Sequence, residues 1–227
     1  LAINRTILPS VPYNVLKDVQ PIAQTNTGSQ MLAVSNQLPV KSVRELIAHA
    51  KANPGKLLNG SSGNGTPGHL AGELFKQMAG VRIAHVPYKG GAQAMTDMMS
   101  GQVQLIFEST SSISPHHRAG RLRGIATTGL KRVAAFPDLP PIAEAGVPGY
   151  DVSVWAGLIT PVGVSKAVIA RLNDAVNKAM VSPSLMEKYA VNGTEPVGGT
   201  VEAFAALIKS EVEKYERIAK TLKATVD

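Results

Sequence analysis

The chain has 227 residues, 44% of them hydrophobic but only 4% aromatic, so a packed core must be built mainly from aliphatic side chains. A formal net charge of +7 suits an anionic partner, and the lack of cysteine excludes disulfides, thiolate metal sites and cysteine nucleophiles. No apolar run approaches the roughly 20 residues that span a bilayer, so we expect a chain that is not inserted in a membrane.

The middle of the chain alternates between helix and strand signals. Ser42 and Glu45 have the spacing of a capping box, and the sequence Asn-Pro-Gly at residues 53–55 ends the amphipathic helix that follows. Apolar residues at helical spacing predict further helices after Gly68 and around Met95. Strands are predicted over residues 56–60, 81–86, 103–107 and 122–127. This alternation predicts an α/β fold with a largely parallel sheet that is covered on both faces.

The last third of the chain is expected to be mainly helical. Residues 109–114 are polar and precede a short helical turn that is predicted from Pro115 to Gly120. Residues 136–149 are predicted to be a Pro- and Gly-rich connection with at most one helical turn. A strand is predicted over residues 152–159, with Trp155 in its middle, and helices from Ser165 onwards. We therefore place one domain at residues 32–130, a connecting segment at 131–144, and the other domain at 1–31 together with 145–227.

The segment Gly63 to Gly68 is the most informative, because it lies between a predicted strand and a predicted helix. Glycines allow a ligand to approach the backbone, and unpaired N–H groups at a helix N-terminus favour an anion. Thr66 adds a hydroxyl group, and His69 lies on the first helical turn. The spacing matches G-x-G-x-x-G, but no acidic residue ends the next strand about 20 residues on, so a carboxylate fits better than a pyrophosphate. An ordinary glycine turn remains the alternative.

Two other strand-to-helix junctions carry polar groups. Lys89 and Gly90 follow the strand that ends near residue 86, and Glu108 and Ser109 end the strand at residues 103–107. In an open α/β sheet such junctions gather at the edge where ligands bind. A solvated Lys89, a Tyr88 packed on its neighbours and an exposed loop at Glu108 are the alternatives.

Signals for catalysis, metal binding and nucleic-acid binding are missing. The five histidines have no metal-ligand spacing, and residues 60–63 do not form a nucleophile elbow. Met95, Met98 and Met99 are expected to be core residues. The basic stretch over residues 118–132 lacks interleaved aromatic residues, which argues against nucleic acid. We therefore expect no catalytic residue, metal or cofactor.

Several ordered motifs resemble the periplasmic solute receptors of tripartite tricarboxylate transporters, also called Bug receptors. The similarity covers essentially the whole chain. The matching blocks are residues 1–4 with 16–18, 50–56 (AKANPGK), 62–66 (SGNGT) with 69–75 (HLAGELF), 85–90 (HVPYKG), 119–123 (AGRLR), 137–140 (PDLP), 143–150 (AEAGVPGY) and the Trp155 strand.

The resemblance implies a periplasmic-binding-protein-like fold of type II, the Venus flytrap, with two domains and a ligand cleft between them. It implies a secreted, periplasmic receptor that captures a small carboxylate and delivers it to the membrane subunits of a transporter, without catalysing a reaction. The carboxylate is a di- or tricarboxylate, an amino acid or an aromatic acid. A receptor that signals to a sensor protein, and a nucleotide-binding α/β enzyme using Gly63, Gly65 and Gly68, are the alternatives.

The resemblance also assigns residues, since the family's second-domain ligand loop corresponds to Ser62–Thr66. Glu108 stands where the family usually has Asp, and Gln93 and Pro141 replace a common Pro and Thr. The predicted ligand-binding residues are Ser62, Gly63, Asn64, Gly65, Thr66, His69, Lys89, Gly90, Glu108 and Ser109.

The start of the chain departs from the family pattern. The chain begins with Leu1, without a signal peptide, and the family's Pro- and Gly-rich first loop and several first-domain strands have no counterpart in it. The N-terminal part of the first domain is therefore expected to be missing from this chain. A chain that starts at Leu1 is expected to bind ligand weakly and to pair its open strand edges with another copy.

Overall fold

The computed structural model describes residues 12–222, and the side chains of residues 12–218. The matching block at residues 1–4 lies outside this range. The chain divides into a central unit, Ser29–Val154, and a terminal unit made of the residues up to Gly28 and from Trp155 onwards. No helix of the described residues is long and apolar enough to cross a membrane.

The two units are built from seven strands and eight helices within the described residues. The strands are β1 (Val19–Val34), β2 (Leu58–Ser61), β3 (Ala84–Pro87), β4 (Leu105–Ser109), β5 (Arg123–Thr127), β6 (Ser153–Pro161) and β7 (Thr194–Gly198). The helices are α1 (Val43–Ala52), α2 (Pro67–Ala79), α3 (Gly91–Met99), α4 (Thr110–Arg118), α5 (Ile142–Ala145), α6 (Lys166–Met180), α7 (Pro183–Val191) and α8 (Val201–Leu222).

The sheet of the central unit has the strand order β3-β2-β4-β1-β5. Strand β2 runs parallel to β3 and β4, as expected, but β1 runs antiparallel to both β4 and β5. Most of β1 was not predicted, because Pro21, Gly28 and many polar residues interrupt its apolar pattern. Only the short apolar run after Gln30 carries a strand signal, so pairing with neighbouring strands decides its conformation.

Helices cover both faces of this sheet, as the alternation of elements predicts. In β1, Leu32 and Val34 face one core, whereas Met31 and Ala33 face the other. The first core includes Leu46 of α1 and Phe75 of α2. The second includes Met95 and Met98 of α3 and Ile113 of α4, so both methionines are core residues, as expected.

The segment at residues 131–154 belongs to the central unit, whereas the sequence placed it partly in a connection and partly in the other domain. Tyr150 is fully buried, and Val152 exchanges hydrogen bonds with Thr128: its N–H donates to the Thr128 carbonyl, and its own carbonyl accepts from the Thr128 hydroxyl. Loop composition alone suggested a linker, but these anchoring residues pack the segment against the first core. The chain leaves the central unit only within β6.

Two local predictions have different outcomes. Helix α1 is capped at Ser42, as predicted: the Glu45 N–H donates to Ser42 Oγ at 3.2 Å. The reciprocal bond of Glu45 goes one residue further, since its Oε2 accepts from the N–H of Lys41 at 2.7 Å. The helical turn predicted from Pro115 is part of a longer helix, because α4 already begins at Thr110, where Ser109 Oγ caps the N–H of Ser112. Serine-rich sequence has low helix propensity, so its capping role was overlooked.

In the terminal unit, β7 pairs antiparallel with β1, and β6 pairs with the same strand. Ile22 and Ala23 of β1 pack with Ile169, Val176 and Met180 of α6. Strand β7 carries no apolar alternation and was not predicted from the sequence.

Candidate functional site

The three predicted junctions meet at one edge of the central sheet. Because β2, β3 and β4 are parallel, their carboxyl ends lie on the same side. The segments 62–66 and 88–91 follow β2 and β3 there, and residues 108–109 are the last two of β4. We call these three segments the loop edge. Ser62, Gly91 and Glu108, one from each segment, are in contact.

The glycine loop of the loop edge is held in a conformation that requires glycine at two positions. Gly63 has φ 126° and Gly65 has φ 73°. A Cβ atom on Gly63 would also lie 3.1 Å from the carbonyl oxygen of Tyr88, in the neighbouring junction. Thr66 then caps α2: its hydroxyl donates to the Gly63 carbonyl at 2.8 Å and accepts from the His69 N–H at 3.4 Å.

Most N–H groups of this loop already have partners within the chain, whereas the sequence suggested unpaired donors. Gly63 N–H donates to Ser61 Oγ, and Gly65 N–H to His69 Nδ1, both at 3.1 Å. With its amide oriented for hydrogen bonding, buried Gln30 accepts from Gly68 N–H at 3.2 Å. The exposed loop tip, Asn64, makes no hydrogen bond within residues 12–222.

His69 and His85 form a stacked pair beneath the loop. Their ring centroids are 4.0 Å apart with an interplanar angle of 20°, and His85 Nε2 lies 2.7 Å from Ser61 Oγ. Burial lowers the pKa of His69, and burial together with the adjacent His69 and Lys76 lowers the pKa of His85 to about 4. Both rings are therefore neutral near pH 7, which leaves His69 Nδ1 free to accept from Gly65.

The same pair and Glu73 are the only described group of three side chains with metal-ligand atoms close together, within 4.8 Å. Their geometry does not favour an ion. The stacked rings direct their in-plane lone pairs side by side, so these do not converge on one point. Furthermore, Glu73 Oε1 is paired with Lys76 Nζ at 2.5 Å, and the unprotonated nitrogen of His69 already accepts a hydrogen bond from the Gly65 N–H. The three side chains therefore act as a polar packing cluster.

The second junction offers less polar chemistry than its composition suggests. The Tyr88 hydroxyl donates to Asp97 Oδ2 at 2.8 Å, and burial and this hydrogen bond raise its pKa to about 12. Tyr88 also packs on the second core, as its alternative interpretation expected. Lys89 is exposed, and Gly90 precedes α3 with an extended φ of 164°.

The third junction places a carboxylate at the centre of the loop edge. Glu108 Oε2 accepts from Ser62 Oγ at 2.5 Å, and Oε1 accepts from the Ser109 N–H at 2.8 Å. Ser109 Oγ lies 2.8 Å from Ser112 Oγ in the first turn of α4. Gln30, Ser61 and His85 were not among the predicted site residues, because isolated Gln, Ser and His residues carry no recognisable spacing.

The central unit has an α/β fold, and the loop edge at one side of its sheet carries the candidate site. Residues 3–224 match the sequence profile of the tripartite tricarboxylate transporter family receptor, and the chain belongs to this family. The resemblance noted from the sequence motifs and the predicted fold class are thereby confirmed.

Individual relatives agree with this assignment. The UPF0065 protein in the tcbD-tcbE intergenic region of Pseudomonas sp. strain P51 is 36% identical over 96% of this chain and 65% of its own length. Protein BugT of Bordetella pertussis is 31% identical over 97% of this chain and 68% of its own length. The solved structure of R. palustris Rpa4515 with adipate has a TM-score of 0.93 at 36% identity, and covers 97% of this chain and 74% of that one.

These matches have two consequences. The chain spans about two thirds of the length of the curated relatives, 65% and 68% in these two cases. The matching family is one of transporter receptors and not of nucleotide-binding enzymes.

Proposed function

We propose that the protein is a periplasmic receptor that binds a small carboxylate and delivers it to the membrane subunits of a tripartite tricarboxylate transporter. The observation that carries the proposal is the match of residues 3–224 to the receptor family. The structure of Rpa4515 with adipate, a dicarboxylate, supports the chemical class of the ligand.

The loop edge is the proposed contact surface for one carboxylate group. The exposed Asn64 supplies N–H donors at the tip, and the N-terminus of α2 supplies partial positive charge. The hydroxyl groups of Ser62 and Thr66 line the loop but already donate to Glu108 and to the Gly63 carbonyl. A ligand carboxylate that binds the N–H groups of Gly63 and Gly65 takes the place of their neutral acceptors, Ser61 Oγ and His69 Nδ1. Because hydrogen bonds to a charged acceptor are roughly twice as strong as neutral ones, this exchange favours the ligand. The net charge of +7 also attracts anions at long range.

A thermal-shift screen of the protein at its full natural length tests the ligand class. The panel contains mono-, di- and tricarboxylates, amino acids, aromatic acids, NAD and ATP. A ligand at 100 times its Kd adds about 2.7 kcal/mol to the free energy of unfolding. A shift with one carboxylate class is expected, and a shift with nucleotides alone would overturn the proposal.

A pair of matched variants tests the place of binding. Gly65→Asp puts a carboxylate on the loop at a φ of 73°, and Gly55→Asp makes the same change at a φ of 76° before β2, at the opposite end of that strand. Asp tolerates this left-handed region better than most residues. We expect Gly65→Asp to lower the affinity for the carboxylate at least about tenfold, through like-charge repulsion, and Gly55→Asp to leave it unchanged. Equal affinities in the two variants would contradict the placement.

Delivery to a transporter is tested by uptake of the labelled carboxylate in cells that lack the receptor gene. The wild-type gene is expected to restore uptake, and Gly65→Asp is expected to fail at low ligand concentration. Uptake that does not depend on the receptor, combined with ligand-dependent gene expression that does, would favour the signalling alternative.

A further inference from the structure

Glu108 links all three segments of the loop edge. It is the last residue but one of β4, and its carboxylate accepts hydrogen bonds from Ser62 in the glycine loop and from the N–H of Ser109. A Cβ atom built on Gly91 would overlap Glu108 Oε2, so the carboxylate lies directly against the first residue of α3. Ser62 and Glu108 are 46 residues apart, so only the folded sheet brings them together.

The carboxylate of Glu108 lies at the N-terminus of helix α3, which has no anionic side chain of its own there. Gly90 offers no side-chain cap, and the first turn of α3 has no acidic residue. A helix N-terminus carries a partial positive charge, which an anion stabilises. Glu108 supplies this anion from the neighbouring strand, and a ligand carboxylate would have to displace it to bind there.

The charge of Glu108 is not matched by a cationic side chain. Among the described side chains, no Lys, Arg or His forms an ion pair with it. Its two hydrogen-bond partners, Ser62 and Ser109, are neutral donors. Two carboxylate oxygens have about four lone-pair sites, so acceptor capacity remains. A second carboxylate at this point would meet a like charge, whereas an ammonium group would meet an opposite one.

We infer that Glu108 is a specificity-determining residue that selects an amino carboxylate, with its ammonium group at Glu108, over a dicarboxylate of the same chain length. The inference rests on the proposed function, since it assumes that a carboxylate binds at the loop edge. The side chain of Glu108 extends from β4 to Ser62 and Gly91.

Paired ligands test the inference in the wild-type protein. The two members of each pair have the same number of carbon atoms, and a terminal aminomethyl group in one replaces a carboxylate group in the other: 4-aminobutanoate and succinate, 5-aminopentanoate and glutarate, 6-aminohexanoate and adipate. In calorimetric titrations, the amino acid of the best-binding pair is expected to bind at least about tenfold more tightly than its partner, because repulsion is replaced by attraction. A dicarboxylate that binds equally well or better overturns the inference and leaves the proposed function intact.

The variant Glu108→Gln then tests whether the charge of Glu108 determines this selectivity. It preserves the size of the side chain and removes the charge, and Glu187→Gln makes the same change at an exposed position of α7. Glu108→Gln is expected to reduce the ratio of the two affinities at least about tenfold, and Glu187→Gln to leave the ratio unchanged. An unchanged ratio in a folded Glu108→Gln protein overturns the inference. If Glu108→Gln does not fold, the ratio of the wild-type affinities for the amino acid and the dicarboxylate decides the inference alone. If no carboxylate of any class binds the wild type, the proposed function and the inference both fail.

Discussion

The hydroxyl group of Tyr150 donates a hydrogen bond to the carbonyl oxygen of Ala71, at a distance of 2.9 Å between two fully buried residues. Ala71 lies in α2, the helix that follows the glycine loop, and Tyr150 lies shortly before β6. The Tyr150 ring also contacts Phe75 edge to face, with centroids 6.4 Å apart. The Pro- and Gly-rich segment thus supports the helix that positions the candidate site.

Substitution of Tyr150 is expected to destabilise the central unit. Tyr150→Phe removes one buried hydrogen bond and should lower the free energy of unfolding by about 0.5–1.5 kcal/mol. Tyr150→Ala also leaves a cavity and should lower it by about 3–5 kcal/mol. Urea unfolding followed by circular dichroism measures both, and Tyr13→Phe serves as a control at a half-buried position without a described hydrogen bond. A Tyr150→Ala protein as stable as the wild type would show that the segment does not support α2.

A close approach between α2 and β4 makes Gly68 sensitive to a single methyl group. A Cβ atom there would overlap the Phe107 carbonyl oxygen, so Gly68→Ala should destabilise the protein by about 1–3 kcal/mol, although alanine favours helices. Gly90→Ala is the matched control, because its φ is extended and its Cβ would meet no atom within 4 Å. Thermal unfolding should separate the two variants clearly, and equal melting temperatures would contradict the close approach.

The stacked histidines predict a loss of stability in mild acid. The pKa of His85 is lowered from its ordinary 6.5 to about 4 in the folded state, so the unfolded state binds more protons between these values. Stability is therefore fully present above pH 6.5 and decreases as the pH falls towards 4. The neighbouring His69 and Lys76 act in the same direction on His85, while Glu73 opposes the lowering at His69.

The contribution of His85 is measured by urea unfolding at a series of pH values. His85→Gln can still bond to Ser61 but does not titrate, so its stability should decrease less between pH 6.5 and 4 than that of the wild type. His49→Gln, in α1 and outside the stacked pair, should follow the wild-type profile. Superimposable profiles for His85→Gln and the wild type would exclude His85 as a source of the pH dependence.

The terminal unit contains a buried carboxylate that accepts a hydrogen bond from the indole of Trp155. Glu211 is 9% exposed and accepts a hydrogen bond from Trp155 Nε1 at 3.1 Å, while the indole ring packs edge to face on Phe204. Glu211→Ala should lower stability by about 1–3 kcal/mol, because it removes a hydrogen bond to a charged acceptor. Trp155 is the only tryptophan, so its fluorescence reports this unit directly. Glu213→Ala, exposed on the same helix, is expected to have little effect, and an equal loss there would argue against the assigned bond.

Local sequence signals predicted much of the fold. The capping box at Ser42, the alternation of strands and helices, and the glycine loop before α2 all depend on residues within a few positions of one another. The three junctions could be placed at one edge for the same reason, since parallel strands with intervening helices have few arrangements. Strands β1 and β7 were missed because their sequences are polar and interrupted, and only pairing with distant strands makes them extended.

Hydrogen-bond partners across the fold were decided by the tertiary structure. Composition indicated free donors in the glycine loop. In the structure, the N–H of Gly68 donates to Gln30, which lies 38 positions earlier in the chain, and the Ser62 hydroxyl donates to Glu108, 46 positions later. Burial likewise lowers the pKa of His69 and so makes it an acceptor for Gly65. Residue types and short spacings therefore determine which chemistry is present, whereas packing determines which groups are already paired, because a buried polar group must take its partner from whatever the fold places beside it.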